Sequence, residues 1–221
     1  NLCALLAHCQ RGDEYLVGME AHTYKYEAGG AAVLGSIQPQ PIANAEDGSL
    51  PLAALVKAVK PDDVHFARTR LLTLENTWHG RVLDPEYVSA ATSWARAQGL
   101  ATHLDGARIF NAAVASGQTP AALAEGFDTV SICLSKGLGA PVGSVLVGPA
   151  QVIACARRWR KMLGGGMRQS GVLAAGALHA LDHHVDRLAE DHARAARLAK
   201  GLGRARAIEV RACHTNMVFI D

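Results

Sequence analysis

Aromatic side chains are scarce, at 5% of 221 residues, too few for a platform on which bases stack. Net charge is only +2 and no long basic run occurs, so nothing points to nucleic acid or another polyanion. The five cysteines, Cys3, Cys9, Cys133, Cys155 and Cys213, are scattered and never spaced CxxC. Their odd number and spacing argue against a disulfide framework or a zinc site, and for reduced thiols in a cytoplasm. No apolar stretch approaches the length of a membrane span. The amino terminus shows neither a signal-peptide pattern nor an initiator methionine, and no internal repeat or low-complexity tract is visible. Asn1–Gln10 begins inside what looks like a helix, and the chain stops on a strand just starting at Asn216. Both ends look cut, and an internal fragment of a longer protein is expected.

What is present is apolar: 49% of residues are hydrophobic, enough for a sizeable core in one large domain, or one domain plus a piece of another. Short apolar runs predict strands at Glu14–Val17, Ala31–Ile37, Arg70–Leu74, Leu100–Leu104, Val130–Leu134 and Val142–Val147. Pro39, Pro41 and Asn44–Ser49 read as loop. Helices are predicted over Leu52–Val59, from Asp84 to Gln98, over Ile109–Ala115, Pro120–Glu125 and Ala150–Leu163, and over Ser170–Leu198 with a break around Asp182–His184. Strands alternating with helices imply an α/β fold with a mostly parallel sheet.

The chain is organised around Asp128–Gly143, DTVSICLSKGLGAPVG. A buried strand runs straight into Ser135 and Lys136. Three glycines and a proline follow, then a second apolar run, so the chain reverses and one strand of the sheet is antiparallel. A lysine at the mouth of a sheet is either a surface turn residue or a nucleophile toward carbonyls, because burial lowers its pKa. Earlier in the chain, Leu100–Leu104 ends on Asp105-Gly106-Ala107-Arg108. An aspartate at the carboxyl end of a strand lies where open α/β sheets bind ligands, although Asp-Gly alone is an ordinary turn signal. Pyridoxal phosphate (PLP) chemistry needs this pair: a lysine to hold the aldehyde and a carboxylate to keep the pyridine nitrogen protonated.

Three longer motifs sharpen the reading. Asp105–Asn111 (DGARIFN), Ile132–Gly139 (ICLSKGLG) and Gly165–Gly171 (GGMRQSG) together resemble the low-specificity L-threonine aldolases, fold-type I PLP enzymes related to the β-eliminating lyases. The resemblance extends to His22–Gly35 and Leu74–Thr77, and so covers essentially the whole chain. It implies a three-layer, aspartate-aminotransferase-like large domain over residues 1–208, truncated at its amino end, and the beginning of a small C-terminal α+β domain over 209–221. It implies that Lys136 forms the Schiff base, that Asp105 meets the pyridine nitrogen, and that His22 stacks on the ring. Ser135 is expected at the phosphate, Arg108 at the substrate carboxylate, where a bidentate fork suits the task, and Arg168 at the same site, from a neighbouring subunit. His65 is expected near the substrate hydroxyl, as the general base or the residue that orients a water for that role, and Tyr26, one helical turn from His22, at the border of the pocket. Asn1 matches the tail of a phosphate loop.

The reaction so implied is retro-aldol cleavage of L-threonine or L-allo-threonine to glycine and acetaldehyde, in a cytoplasmic homo-oligomer, a dimer of dimers sharing sites between subunits. Another PLP lyase, an aminotransferase, or a relative with a dead site are the alternatives. Lys136 and Asp105 together argue against the last.

Other features read as structural. His103, inside a strand, is a packed core histidine or one that supports the site. His179, His183 and His184 lack the glutamate of an HExxH arrangement and read as a solvated helix face. The glycines of 137–143 superficially resemble a dinucleotide loop, but the third comes one residue late and enters a strand. Arg157–Lys161 is basic enough for a subunit contact or an anion-facing helix end. Glu75-Asn76 is either a turn or a wall of the site.

Overall fold

The computed structural model describes all 221 residues. In chain order the elements are α1 (Leu2–His8), β1 (Asp13–Gly18), α2 (His22–Lys25), α3 (Gly30–Gly35), β2 (Gln38–Ile42), α4 (Leu52–Ala58), β3 (Arg68–Glu75), α5 (Pro85–Ala97) and β4 (Ala101–Asp105). There follow α6 (Ile109–Ser116), α7 (Pro120–Leu123), β5 (Thr129–Cys133), β6 (Ser144–Val147), α8 (Ala150–Met162), α9 (Gly171–His183), α10 (Leu188–Leu202), β7 (Val210–His214) and β8 (Met217–Ile220). Six strands form one sheet in the order β2-β1-β3-β4-β5-β6, and β7 and β8 form a separate two-stranded sheet. All pairs of the large sheet are parallel except β5 with β6, which is antiparallel. That is the reversal expected at the lysine turn.

Both faces of the large sheet are covered, and alternation along each strand assigns side chains to one face or the other. Leu16, Leu72 and Leu74 face a core completed by Leu55 of α4, Ala91 of α5 and Ile109 of α6. Their neighbours Tyr15, Val17 and Leu71 face the opposite core, under α1 and α3. A third cluster packs Leu134 and Leu138 of the lysine turn against Ala177 and Ala180 of α9 and against Leu188. The turn that presents Lys136 is thus pinned from below by apolar packing. Helix α5 starts where the sequence places it: Asp84 accepts from the Glu86 amide and Pro85 opens the first turn.

Two expectations fail here. The segment Ala31–Ile37 is helix α3 rather than a strand. Gly29, at φ +68°, turns the chain into it, and Val33 and Leu34 are both exposed while Ala31 is buried, so no two-residue alternation exists to bury. The proline-rich loop at residues 38–42 is instead strand β2. It sits at the edge of the sheet, in parallel register with β1 (Tyr15 opposite Pro39, Val17 opposite Pro41). A proline is tolerated on an edge because its missing N–H faces outward. Strand β7 had no counterpart in the sequence reading.

Candidate active site

Strands β1, β3, β4 and β5 bring their carboxyl ends to one edge of the sheet, where open parallel sheets hold ligands. Asp105 ends β4, in register with Glu75 at the end of β3 and with Ser131 of β5. Its carboxylate is buried, only 3% exposed. One oxygen, Oδ1, accepts from the Ala107 amide at 3.1 Å, and the other, Oδ2, accepts from Asn1 Nδ2 at 2.7 Å. The glycine that follows is required by close approach. A Cβ on Gly106 would stand 2.9 Å from Val130 Cγ1 and 3.1 Å from the Ser131 carbonyl oxygen.

His22 opens the short helix α2 just beyond β1. Its amide donates to Glu75 Oε2 at 2.8 Å, and its Nδ1 lies 3.0 Å from Glu27 Oε1. Tyr26 is exposed beside it, the two rings 5.8 Å apart and tilted by 45°. Glu27 also accepts from Asn1 Nδ2 at 2.7 Å. His22, Glu27 and Asp105 therefore form one cluster, with ligating atoms within 4.8 Å of one another.

Glu75 is the most perturbed acid of the site. Burial pushes its carboxyl up to about 7, and the negative charge of Asp105 adds to the rise. The His22 amide, then Lys136 and Arg108, pull the other way. Lys136 is half-buried and enters none of the chain's ion pairs. Arg108 immediately precedes α6, without a capping side-chain hydrogen bond, and its Nε is buried with no hydrogen-bond partner. Lys136 and Arg108 thus bring cationic groups to the anionic side of the edge.

The other residues singled out from sequence lie elsewhere. Ser135 is exposed on the turn next to Lys136. Arg168 is exposed in the segment between α8 and α9 and makes no ion pair within the chain. His65 stands before β3, at the amino end of the sheet, its side chain 81% exposed and its Nδ1 2.6 Å from Asp63 Oδ1. The whole of β3 separates it from Glu75, on the order of 20 Å at strand rise. Within one chain His65 does not join the cluster. Asn1, expected as the tail of a phosphate loop, spends its side chain on Asp105, Glu27 and His103 instead. Sequence reasoning left Glu75 undecided and did not single out Glu27. Both lie inside motifs it had quoted, but their role appears only when register and the α2 turn bring them beside Asp105.

Known proteins resemble this chain in sequence and in fold. The chain is 58% identical over 220 residues to the low specificity L-threonine aldolase of Escherichia coli strain K12, covering all of this chain and 66% of that protein. It is 43% identical over 229 residues to low-specificity L-threonine aldolase 1 of Arabidopsis thaliana, again covering all of this chain and 64% of the relative. The chain thus spans just under two thirds of the length of these curated relatives. A solved threonine aldolase from Leishmania major superposes with a TM-score of 0.79 over 97% of this chain and 64% of its own, at 20% identity. That likeness is one of fold, and the fold is the fold-type I arrangement with a mostly parallel mixed sheet. The beta-eliminating lyase family matches residues 1–221 without a gap at either end. With Asp105, Lys136, His22 and Arg108 on the carboxyl edge of such a sheet, the chain belongs to the beta-eliminating lyase family.

Proposed function

We propose that this chain is the cofactor-binding part of a PLP-dependent aldehyde-lyase that cleaves L-threonine or L-allo-threonine to glycine and acetaldehyde. The observation that carries the reading is the convergence of Asp105, Glu75, His22, Lys136 and Arg108 at the carboxyl ends of the strands, in a chain 58% identical to a low specificity L-threonine aldolase. The residues fit PLP. Asp105 has one chain donor on each oxygen, which leaves acceptor capacity for a protonated ring nitrogen. Lys136 has an amine without an ion pair, and Arg108 has a buried, unpartnered Nε. PLP, when bound, supplies an aldehyde that captures amines and a ring that takes up the electrons released when Cα–Cβ breaks.

The chain's own residues do the rest. Asp105 holds the ring-nitrogen proton. Lys136 would hold the cofactor through its aldehyde, with an amine that enters no ion pair in the chain. His22 would stack on the ring, and the contact of its Nδ1 with Glu27 Oε1 at 3.0 Å restrains the imidazole there. Arg108 would bind the substrate carboxylate, and so orient the bond to be broken; orientation is what selects one reaction of the cofactor over the others. The β-hydroxyl proton goes to a base, which the resemblance assigns to His65 or a water it orients; His65 is remote from the cluster in its own chain. Ser135 and Arg168 serve the phosphate, Arg168 toward a neighbouring copy. His65 can act only on a site in another copy, as a homo-oligomer with shared sites allows. Tyr26 borders the substrate entrance. The boundary between the large and small domains falls near residue 209. No helix is long and apolar enough to cross a membrane, and the five unpaired thiols suit a reducing compartment such as the cytoplasm.

The test uses the full-length protein with PLP. Acetaldehyde release from L-threonine and L-allo-threonine is measured beside a Lys136→Ala variant, together with the visible absorption and its loss on borohydride treatment. The expected result is a borohydride-sensitive band and acetaldehyde release, both abolished in the variant. Turnover that needs a keto-acid acceptor and yields no acetaldehyde would replace this reading with an aminotransferase.

A further inference from the structure

Beneath the site runs a chain of side chains that the reaction does not touch. Asn1 Nδ2 is 2.7 Å from Asp105 Oδ2 and 2.7 Å from Glu27 Oε1. Carboxylate oxygens accept, so Nδ2 spends both of its hydrogens there. The same argument fixes the orientation of the amide, which coordinates alone do not. Asn1 Oδ1 is therefore the acceptor that faces His103 Nε2 at 3.1 Å, and that nitrogen carries the hydrogen. His103 is fully buried, and burial holds it well below the usual histidine range. A neutral ring protonated at Nε2 has a bare Nδ1. That atom lies 2.9 Å from Thr129 Oγ1, so the threonine hydroxyl donates to it. With its only hydrogen spent, Thr129 Oγ1 accepts from His8 Nε2 at 2.9 Å.

Every donor in this series points toward the site: His8 to Thr129, Thr129 to His103, His103 to Asn1, Asn1 to Asp105 and Glu27. One alternative direction at any link leaves two hydrogens or two lone pairs facing each other. The register of β4 with β5, which sets His103 opposite Thr129, builds the middle of the series into the sheet. An amide whose carbonyl accepts a hydrogen bond is a better donor through its nitrogen, and linked bonds polarise one another in a buried setting.

We propose that Asn1, His103 and Thr129 form a one-directional hydrogen-bond relay that positions Asp105 and holds it as an acceptor toward the ring nitrogen of the cofactor. These are positioning residues, since none of them touches the reacting atoms. The relay itself stands on the geometry of the chain, and its consequence for the cofactor rests on the proposed PLP reading.

Two measurements on the full-length protein separate these levels. Long-range ¹⁵N–¹H spectra of the PLP-free, histidine-labelled protein report the tautomer of His103. The expected result is a neutral ring protonated at Nε2 that does not titrate from pH ~5 upward, whereas an Nδ1–H tautomer or a charged ring overturns the relay. PLP affinity is then compared in His103→Gln, whose amide can still donate to Asn1, and in His103→Leu, which cannot, with melting temperature as the control for folding. The leucine variant is expected to lose on the order of tenfold in affinity, the scale on which losing a hydrogen bond that orients a ligating group is felt. The glutamine variant is expected to retain most of it. Equal affinities in two equally stable variants overturn the positioning role. If the wild-type protein binds no PLP, the proposed function fails while the tautomer result still decides the relay.

Discussion

Glu75 shows how much of the site's chemistry is set by one side chain's surroundings. Unfolded, its carboxyl titrates near the ordinary 4.5; folded, burial and Asp105 push it up to about 7. Between those values the folded chain binds more protons than the unfolded one, so stability falls as pH rises through the window and stays low above it. The loss is on the order of 3 kcal/mol. A Glu75→Gln variant keeps an oxygen to accept from the His22 amide but has no proton to lose. Urea unfolding of the protein without added cofactor at about pH 5 and about pH 8 is expected to show a smaller drop in the variant, by roughly 2–3 kcal/mol. An unchanged drop would assign the pH dependence to other groups. This residue was only half legible in the sequence. Lys136 and Asp105 announce themselves because each follows an apolar run and precedes glycine. Glu75 acquires its role from the β3–β4 register, which sets it opposite Asp105, and register is not written in spacing. His65 was singled out by the resemblance alone, and within one chain it stands apart from the cluster. It precedes β3, whereas parallel sheets gather ligand-binding residues after their strands.

The same contrast holds for whole elements. Long periodic segments such as α5, with its Asp84 cap, were visible because one signal decided them. The short ones were settled by neighbours: β2 is a strand because an edge has room for prolines, and α3 is a helix because Gly29 takes a positive φ. The spacing of β4 and β5 governs the site most directly, since it sets Asp105 relative to Lys136. Gly106 holds that spacing. A Gly106→Ala change puts a methyl 2.9 Å from Val130 Cγ1 and 3.1 Å from the Ser131 carbonyl oxygen, and the backbone oxygen cannot rotate away. The expected cost is about 1–3 kcal/mol, as for other overpacked sites, with weaker PLP binding because the strand ends part. Equilibrium unfolding and a PLP titration measure the two effects. A variant that loses stability but binds PLP normally would show that the strain relaxes on the Val130 side and leaves the site intact.

At the scale of the molecule, the question is how the β7–β8 sheet is held to the large sheet. Thr215, at the turn between β7 and β8, donates to the Gly80 carbonyl at 2.9 Å. His79 is stacked on Trp78 and packs against Phe219, with ring centres 4.3 Å and 5.5 Å apart. Gly80 adopts φ +81°, and a Cβ there would stand 2.4 Å from the His214 carbonyl oxygen. An alanine at this position meets both a disfavoured backbone conformation and a backbone clash, with no flexible side chain to yield. Because the segment 76–84 is anchored to β3 and α5, the small sheet is the part that moves. Gly80→Ala is therefore expected to leave the large sheet folded while β7 and β8 swing free. Trypsin should then cut faster at Arg204, Arg206 and Arg211, which flank or lie in β7, because local opening exposes them. Circular dichroism should retain the signal of the large domain. If cleavage stays slow at these arginines, the contact at Gly80 is not what couples the two sheets, and the packing of α10 against β7 and β8 must carry that role. If the whole chain becomes sensitive instead, the small sheet is part of the same cooperative unit and no boundary near residue 209 exists in the energetic sense.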